Sequence, residues 1–194
     1  MTESNQMEEY PNKIQTDEEL IQRVAKGDKH AFTTLVQAHQ NSILNFIWRL
    51  TGDKSQAEDL SQDVFLRVWK SAPKYKKRAK LSTWMYRIAI NLYLNKMRAL
   101  KIRTMFLASL PLKRHSRIDT DYATPENQLL KAEQTRQIFD ILNTLPSAQR
   151  LAVTLKFYQG LSYAEISQIL NRSISAVDAL LIRAKKNIQK KIRK

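Results

Sequence analysis

An all-α fold of two small helical domains, joined by a basic flexible linker, is what the sequence predicts, and three observations carry it. Apolar residues recur at spacings of three and four along most of the chain, and no segment alternates with period two over a convincing length. Only 3 glycines and 5 prolines occur in 194 residues, too few for a turn-rich β architecture. Between about 104 and 124 the periodicity fades, and Pro111 and Pro125 frame a polar, basic stretch with the character of a linker.

The elements follow in order. Residues 1–16 are acidic and polar and read as a disordered tail, not a secretory or transit signal. Asp17 is a plausible N-cap, and Thr16 and Glu19 have capping-box spacing if the cap lies one residue earlier. The first domain spans 17–103. It opens on a helical stripe of Leu20, Ile21, Val24 and Ala25 that ends at Gly27. A second helix covers about 29–50, with Phe32, Leu35, Val36, Ile43, Phe46 and Ile47 on its apolar side. A third covers about 55–71 and stops at Pro73. The loop 72–81 is mostly Lys and Arg around one aromatic, Tyr75. A fourth helix is expected to start at a Ser82/Thr83 cap and continue past Arg98, with Trp84, Ile88 and Leu92 as core. The linker is placed at 104–124 and the second domain at 125–194. There helices are expected over 126–145, ending at Pro146, over 147–158, ending at Gly160, and in two shorter pieces beyond.

Those two last pieces have helix-turn-helix spacing. Ser162 can cap a helix with Ala164, Ile166 and Ile169/Leu170 inward, Ser167 is small where the helices cross, and Asn171 sits where the turn needs positive φ. In the second helix Ile174, Val177, Leu181, Ala184 and Ile188 form the inward stripe. Ser175, Asp178, Ala179, Ile182, Arg183 and Lys186 are then outward, and Arg172 and Ser173 precede them. Such a face, with a basic carboxyl end, suits the major groove. The bland alternative is an ordinary αα-corner. Asp178 counts against DNA unless it reads a cytosine amino group, and Leu180 and Ile182 leave apolar surface for a thymine methyl or a protein partner.

Charge sharpens the picture. Lys and Arg outnumber Asp and Glu 33 to 18, a net +15. Residues 1–63 hold 6 basic and 11 acidic side chains, 64–118 hold 15 basic and no acidic one, and 119–194 hold 12 and 7. A long window without a single carboxylate is presented to something anionic, and nucleic acid leads because neutralised phosphates release counterions. A merely solvated basic surface is the competing reading. The acidic face just before this window, Asp59, Gln62, Asp63 and Leu66, suits a protein partner better than nucleic acid; a solvated helix face is its alternative. Within the basic window Arg87, Asn91, Asn95 and Arg98 form a polar stripe, and Tyr75 could stack on an unpaired base beside Lys76 and Lys77. Structural asparagines and a half-buried Tyr75 compete with that view.

Several classes are excluded. The chain has no cysteine, hence no disulfide framework, thiolate zinc site or cysteine nucleophile, which fits a reducing cytoplasm. No apolar run approaches a membrane span. His30, His39 and His115 are scattered, and no paired carboxylates stand at catalytic spacing, so no enzyme chemistry, metal, cofactor or small-molecule substrate is expected.

Taken together, the motifs resemble the small, two-domain bacterial RNA polymerase sigma factors of the extracytoplasmic-function (ECF) group, over about 17–190. The resemblance rests on Arg23-Val-Ala-Lys-Gly-Asp with Ala31-Phe, on Ala57-Glu-Asp-Leu-Ser-Gln-Asp-Val-Phe-Leu-Arg-Val-Trp, and on Thr83-Trp-Met-Tyr-Arg-Ile-Ala-Ile-Asn. Thr124-Pro-Glu-Asn, Leu145-Pro and Gly160-Leu-Ser-Tyr-Ala-Glu-Ile continue it in the same order. It implies that the first domain docks on the clamp helices of core RNA polymerase through Asp59, Leu60, Gln62, Asp63 and Leu66. It implies that Tyr75, Lys76, Lys77, Arg87, Asn91, Asn95 and Arg98 capture and help melt the minus-10 element, with Tyr75 and Asn91 at a pocket for a flipped-out base. The second domain would bind the polymerase flap and read the minus-35 element with Arg172, Ser173, Ser175, Asp178, Ala179, Ile182, Arg183 and Lys186. An anti-sigma factor would hold the protein inactive. Asp178, Ala179 and Leu180 stand where many members carry basic or hydroxyl residues. A stand-alone helix-turn-helix regulator is the alternative, but such a protein has no use for the acidic Asp59/Gln62/Asp63 face.

Overall fold

The computed structural model describes residues 16–108 and 137–192, so the expected tail up to residue 15 and the expected linker beyond residue 108 lie outside it. Helix α1 (Asp17–Ala25) opens on Thr16, whose hydroxyl accepts from the Glu19 amide while the Glu19 carboxylate accepts from the Thr16 amide. The capping box therefore selects the earlier of the two candidate caps. Helices α2 (Lys29–Thr51) and α3 (Lys54–Ser71) are capped by Asp28 and Asp53, which accept from the Ala31 and Gln56 amides. Those bonds hold both carboxyls below their ordinary value. Gly52, at φ 70°, closes α2 in the left-handed conformation, its amide donating to the Trp48 carbonyl.

A 3-10 turn (Ala72–Lys74) leads through the basic loop to α4 (Leu81–Ala108). The expected Ser82/Thr83 cap is not used. The Trp84 amide already donates to the Lys80 carbonyl, which starts the helix two to three residues earlier. Thr83 is instead buried, and its hydroxyl has no partner. At its other end α4 runs on through 104–108, into the range assigned to the linker. Its buried face is Met85, Tyr86, Ala89, Ile90 and Tyr93, while Trp84, Ile88 and Leu92, expected as core, are only half-buried. The phase is off by one residue, about 100° of helix. Because α4 packs on both α3 and α2, two tyrosines turn inward and Trp84 rotates to the edge.

The second domain holds α5 (described over 137–143), α6 (Ser147–Val153) with a π-helical turn (Thr154–Tyr158), α7 (Tyr163–Leu170) and α8 (Ile174–Ile192). Leu151, Leu155, Ile166, Ile169, Val177, Leu180, Leu181 and Ala184 fill its core. Three sequence expectations are corrected here. Leu180 is buried rather than outward, Ile174 is 53% exposed rather than inward, and Ala164 is exposed. Since α8 is gripped by α6 on one side and α7 on another, its buried face widens to take in Leu180. Ile174 precedes the first buried residue of that helix, Val177. No strand occurs among the described residues. The buried side chains of both domains form one contiguous cluster, so the domains lie directly against each other.

Candidate protein and nucleic-acid interfaces

On α3, burial of Ala57, Leu60, Val64 and Val68 turns the opposite face to solvent. Asp59, Gln62 and Asp63 are exposed, and Leu66, at 55% exposure, is an apolar side chain left in water among them. Leu60 does not belong to this face. At 4% exposure it is a core residue that fixes the helix orientation, which corrects its assignment to the docking set.

The basic loop leaves Lys76 and Lys77 exposed, Lys77 with its ammonium 3.7 Å from Glu18 on α1. Tyr75 is half-buried. Its hydroxyl donates to the Ala79 carbonyl at 3.0 Å, its ring packs 5.1 Å from that of Trp84, and burial pushes its phenol up. Sequence reasoning placed Trp84 in the core and so missed it as the second ring of an aromatic pair beside the cationic loop. Its spacing from Tyr75 across a loop carried no signal. Arg87, Asn91, Asn95 and Arg98 are all exposed along one side of α4.

In the helix-turn-helix, Ser162 accepts from the Glu165 amide at 3.2 Å and the Glu165 carboxylate accepts from the Ser162 amide at 2.8 Å. Asn171, at φ 51°, makes the turn. Ser173 caps α8, its hydroxyl accepting from the Ala176 amide at 3.2 Å and lying 3.0 Å from that of Ser175. Arg172, Ser173, Ser175, Ile182, Arg183 and Lys186 are exposed, and the Arg183 guanidinium donates to the Ala179 carbonyl at 3.2 Å. Asp178 and Ala179, expected outward, are half-buried. Asp178 borders an apolar cleft of about 710 Å³ that includes Ile138, Phe157, Ile182 and Ile192.

The domain contact is the feature sequence reasoning did not find. The Arg49 guanidinium lies 3.9 Å over the Tyr158 ring, and the Tyr86 hydroxyl donates to Gln159 Oε1 at 2.5 Å. Lys80 Nζ is 2.9 Å from Glu165 Oε1, and Arg87 donates to the Gln168 carbonyl. The Phe139 ring packs on Gly52 so closely that a Cβ there would lie 1.9 Å from its Cζ. Lys80 and the Ser162 amide and hydroxyl hold the Glu165 carboxyl down to about 2. Between the domains a cleft of about 560 Å³ is walled by Arg87 and Asn91 on one side and Asn171 and Arg172 on the other.

A helix-turn-helix domain beside a second helical domain with an acidic face, a cationic loop and a polar helix stripe defines a protein of transcription that meets both DNA and another protein. The family description "Sigma-70 region 2" matches residues 35–102, and "Sigma-70, region 4" matches residues 135–188. The chain belongs to the ECF sigma factors of RNA polymerase. It is 33% identical to the ECF RNA polymerase sigma-E factor of Haemophilus influenzae, over 91% of this chain and 95% of that protein. It is 30% identical to the ECF RNA polymerase sigma factor SigW of Bacillus subtilis, over 89% and 95%. Its fold is similar to that of CnrH in complex with the cytosolic domain of CnrY, with a TM-score of 0.66 at 21% identity over 90% of this chain and 95% of that one. It is also similar to the sigma factor RpoE in complex with the anti-sigma factor NepR from Bartonella quintana, with a TM-score of 0.65 at 20% identity over 84% and 96%. The protein is therefore a DNA-binding transcription initiation factor and not a stand-alone regulator. No helix among the described residues is long and apolar enough to cross a membrane.

Proposed function

We propose that this sigma factor joins core RNA polymerase through the exposed side of α3 and directs initiation at promoters read by two separate surfaces. The observation that carries the reading is the separation of charge. An acidic face with an unsheltered leucine lies on α3, and the cationic loop and the α4 stripe follow it directly. Asp59, Gln62, Asp63 and Leu66 dock on the clamp helices, with Leu60 holding α3 in place from the core. Tyr75, Lys76, Lys77, Arg87, Asn91, Asn95 and Arg98 take the minus-10 element. There the Tyr75/Trp84 ring pair offers a stacking platform for an extruded base, whose extrusion costs a few kcal/mol.

In the second domain Arg172, Ser175, Ile182, Arg183 and Lys186 reach the minus-35 major groove. Ser173 positions the helix as its cap, and Asp178 and Ala179 contribute at its half-buried edge. The apolar cleft beside Phe157 suits an apolar helix such as the polymerase flap would offer. Anti-sigma control, action in the cytoplasm, and the absence of any catalytic step or cofactor complete the reading. The solved sigma factor RpoE, of like fold and in complex with the anti-sigma factor NepR, supports the first of these. The test is run-off transcription from a promoter pool with purified core polymerase. Start sites appearing only when the protein is added are expected. Tight duplex binding by the protein alone, with no initiation alongside core polymerase, would overturn the proposal.

A further inference from the structure

The cleft between the two domains differs from the rest of the basic surface. Its walls carry two guanidiniums, Arg87 on α4 and Arg172 in the turn before α8, and no carboxylate. Neither guanidinium pairs with an acidic side chain among the described residues, whereas Lys77 has Glu18 beside it and Lys80 has Glu165. Arg87 donates through Nη2 to the Gln168 carbonyl, which fixes it at the cleft and leaves its other N–H groups for a ligand. Asn91 and Asn171 stand on opposite walls, and neither side-chain amide has a hydrogen-bond partner among the described residues. Apolar lining comes from Ile90, Leu151 and Ile169, core side chains that reach the cleft. Tyr75 and Trp84, the platform offered above for an extruded base, do not line it.

We propose that this cleft is a binding site for a free nucleoside phosphate. Guanidiniums hold phosphate oxygens through paired N–H···O bonds, and here no carboxylate on the walls competes with the ligand for them. An asparagine amide donates and accepts at once, as the hydrogen-bonding edge of a base requires, adenine above all. The apolar side chains cover the face of that base. A volume of about 560 Å³ holds a small molecule, for which pockets run roughly 300–1,000 Å³, and excludes a duplex. Inorganic phosphate would leave the amides and the apolar lining unused. A fatty acid would bury the amides without partners, which is costly. Arg87, Asn91 and Arg172 also belong to the promoter-reading set, so nucleotide and promoter compete for them. That competition, unlike the site itself, rests on the promoter-reading assignment made above.

Isothermal titration calorimetry of the full-length protein with ADP, adenosine and pyrophosphate tests the site. ADP should bind about tenfold more tightly than either of the others, since adenosine lacks the phosphates and pyrophosphate lacks the base. Arg172→Ala should weaken ADP by about tenfold. Its exposed side chain bonds to nothing among the described residues, so the fold is kept. Lys101→Ala removes an exposed cation of α4 outside the cleft and should change nothing. Asn91→Leu should narrow the gap between ADP and pyrophosphate. No binding of ADP, equal affinity for pyrophosphate, or equal losses from Arg172→Ala and Lys101→Ala would each overturn the proposal. The second outcome would leave a plain phosphate site, and the third a diffuse attraction of charge. Saturating ADP should also weaken binding of a labelled single-stranded oligonucleotide several-fold. If ADP binds as expected and the oligonucleotide is undisturbed, the site stands, and the promoter-reading assignment of Arg87, Asn91 and Arg172 fails instead.

Discussion

Asn171 is a single residue on which the helix-turn-helix depends. It is the one non-glycine residue with positive φ among the described residues, and asparagine bears that conformation because its short amide bonds locally. Replacing it with valine should destabilise the protein by ~1–2 kcal/mol, since a β-branched side chain collides with its own backbone there. Asn171→Gly should hold stability. Urea midpoints for the two variants check this, and an undiminished midpoint for Asn171→Val would show that the turn tolerates any side chain. At the same scale, Leu60 illustrates what periodicity can and cannot say. Its place in the stripe Ala57-Leu60-Val64-Val68 already made it a core residue, and only the resemblance drew it into the docking set. Its 4% exposure agrees with the stripe.

Helix α3 carries the sharpest prediction among the elements. Asp63 is exposed on a face whose opposite side is fully occupied by core, so its replacement leaves packing untouched. Asp63→Arg should weaken binding to core polymerase by about tenfold, ~1.4 kcal/mol, because it places like charge where opposite charge is expected. Circular dichroism should be unchanged. Unaltered affinity would remove α3 from the docking surface. Helix α4 shows the reverse case. Its polar stripe was legible in the sequence, for Arg87, Asn91, Asn95 and Arg98 all stand exposed on one side. Its apolar side was not, because Trp84, Ile88 and Leu92 make as good a stripe as Met85, Ala89 and Tyr93. Which stripe turns inward is settled by contact with α2 and α3, not by spacing.

Across the whole molecule, the pair Lys80–Glu165 couples the domains to pH. The Glu165 carboxyl is held down from 4.5 to about 2, so its contribution is complete above 4.5 and is lost as pH falls toward 2. The groups that hold it are Lys80 from the basic loop and the Ser162 amide and hydroxyl on its own turn. Glu165→Gln keeps the side-chain acceptor of the capping box and removes only the charge. Small-angle scattering should show wild-type protein opening over that acid range, while Glu165→Gln should already be more open at neutral pH. Identical profiles for the two would mean that the ion pair does not hold the domains.

By itself the sequence determined the local features: the Ser162 cap, the left-handed turn at Asn171, the all-helical class, and the division of charge between an acidic helix and the basic window after it. Each depends on residues within a turn or two of one another, where spacing and side-chain chemistry act directly. Tertiary structure alone decided which stripe of α4 is core, how wide a face α8 buries, and that the two domains rest on each other through Arg49, Tyr86, Arg87, Lys80 and Phe139. Tyr86 and Gln159 lie 73 positions apart, and Arg87 and Gln168 lie 81 apart. No periodicity reaches that far, and one lysine, one carboxylate and a few rings leave no pattern until the chain brings them together.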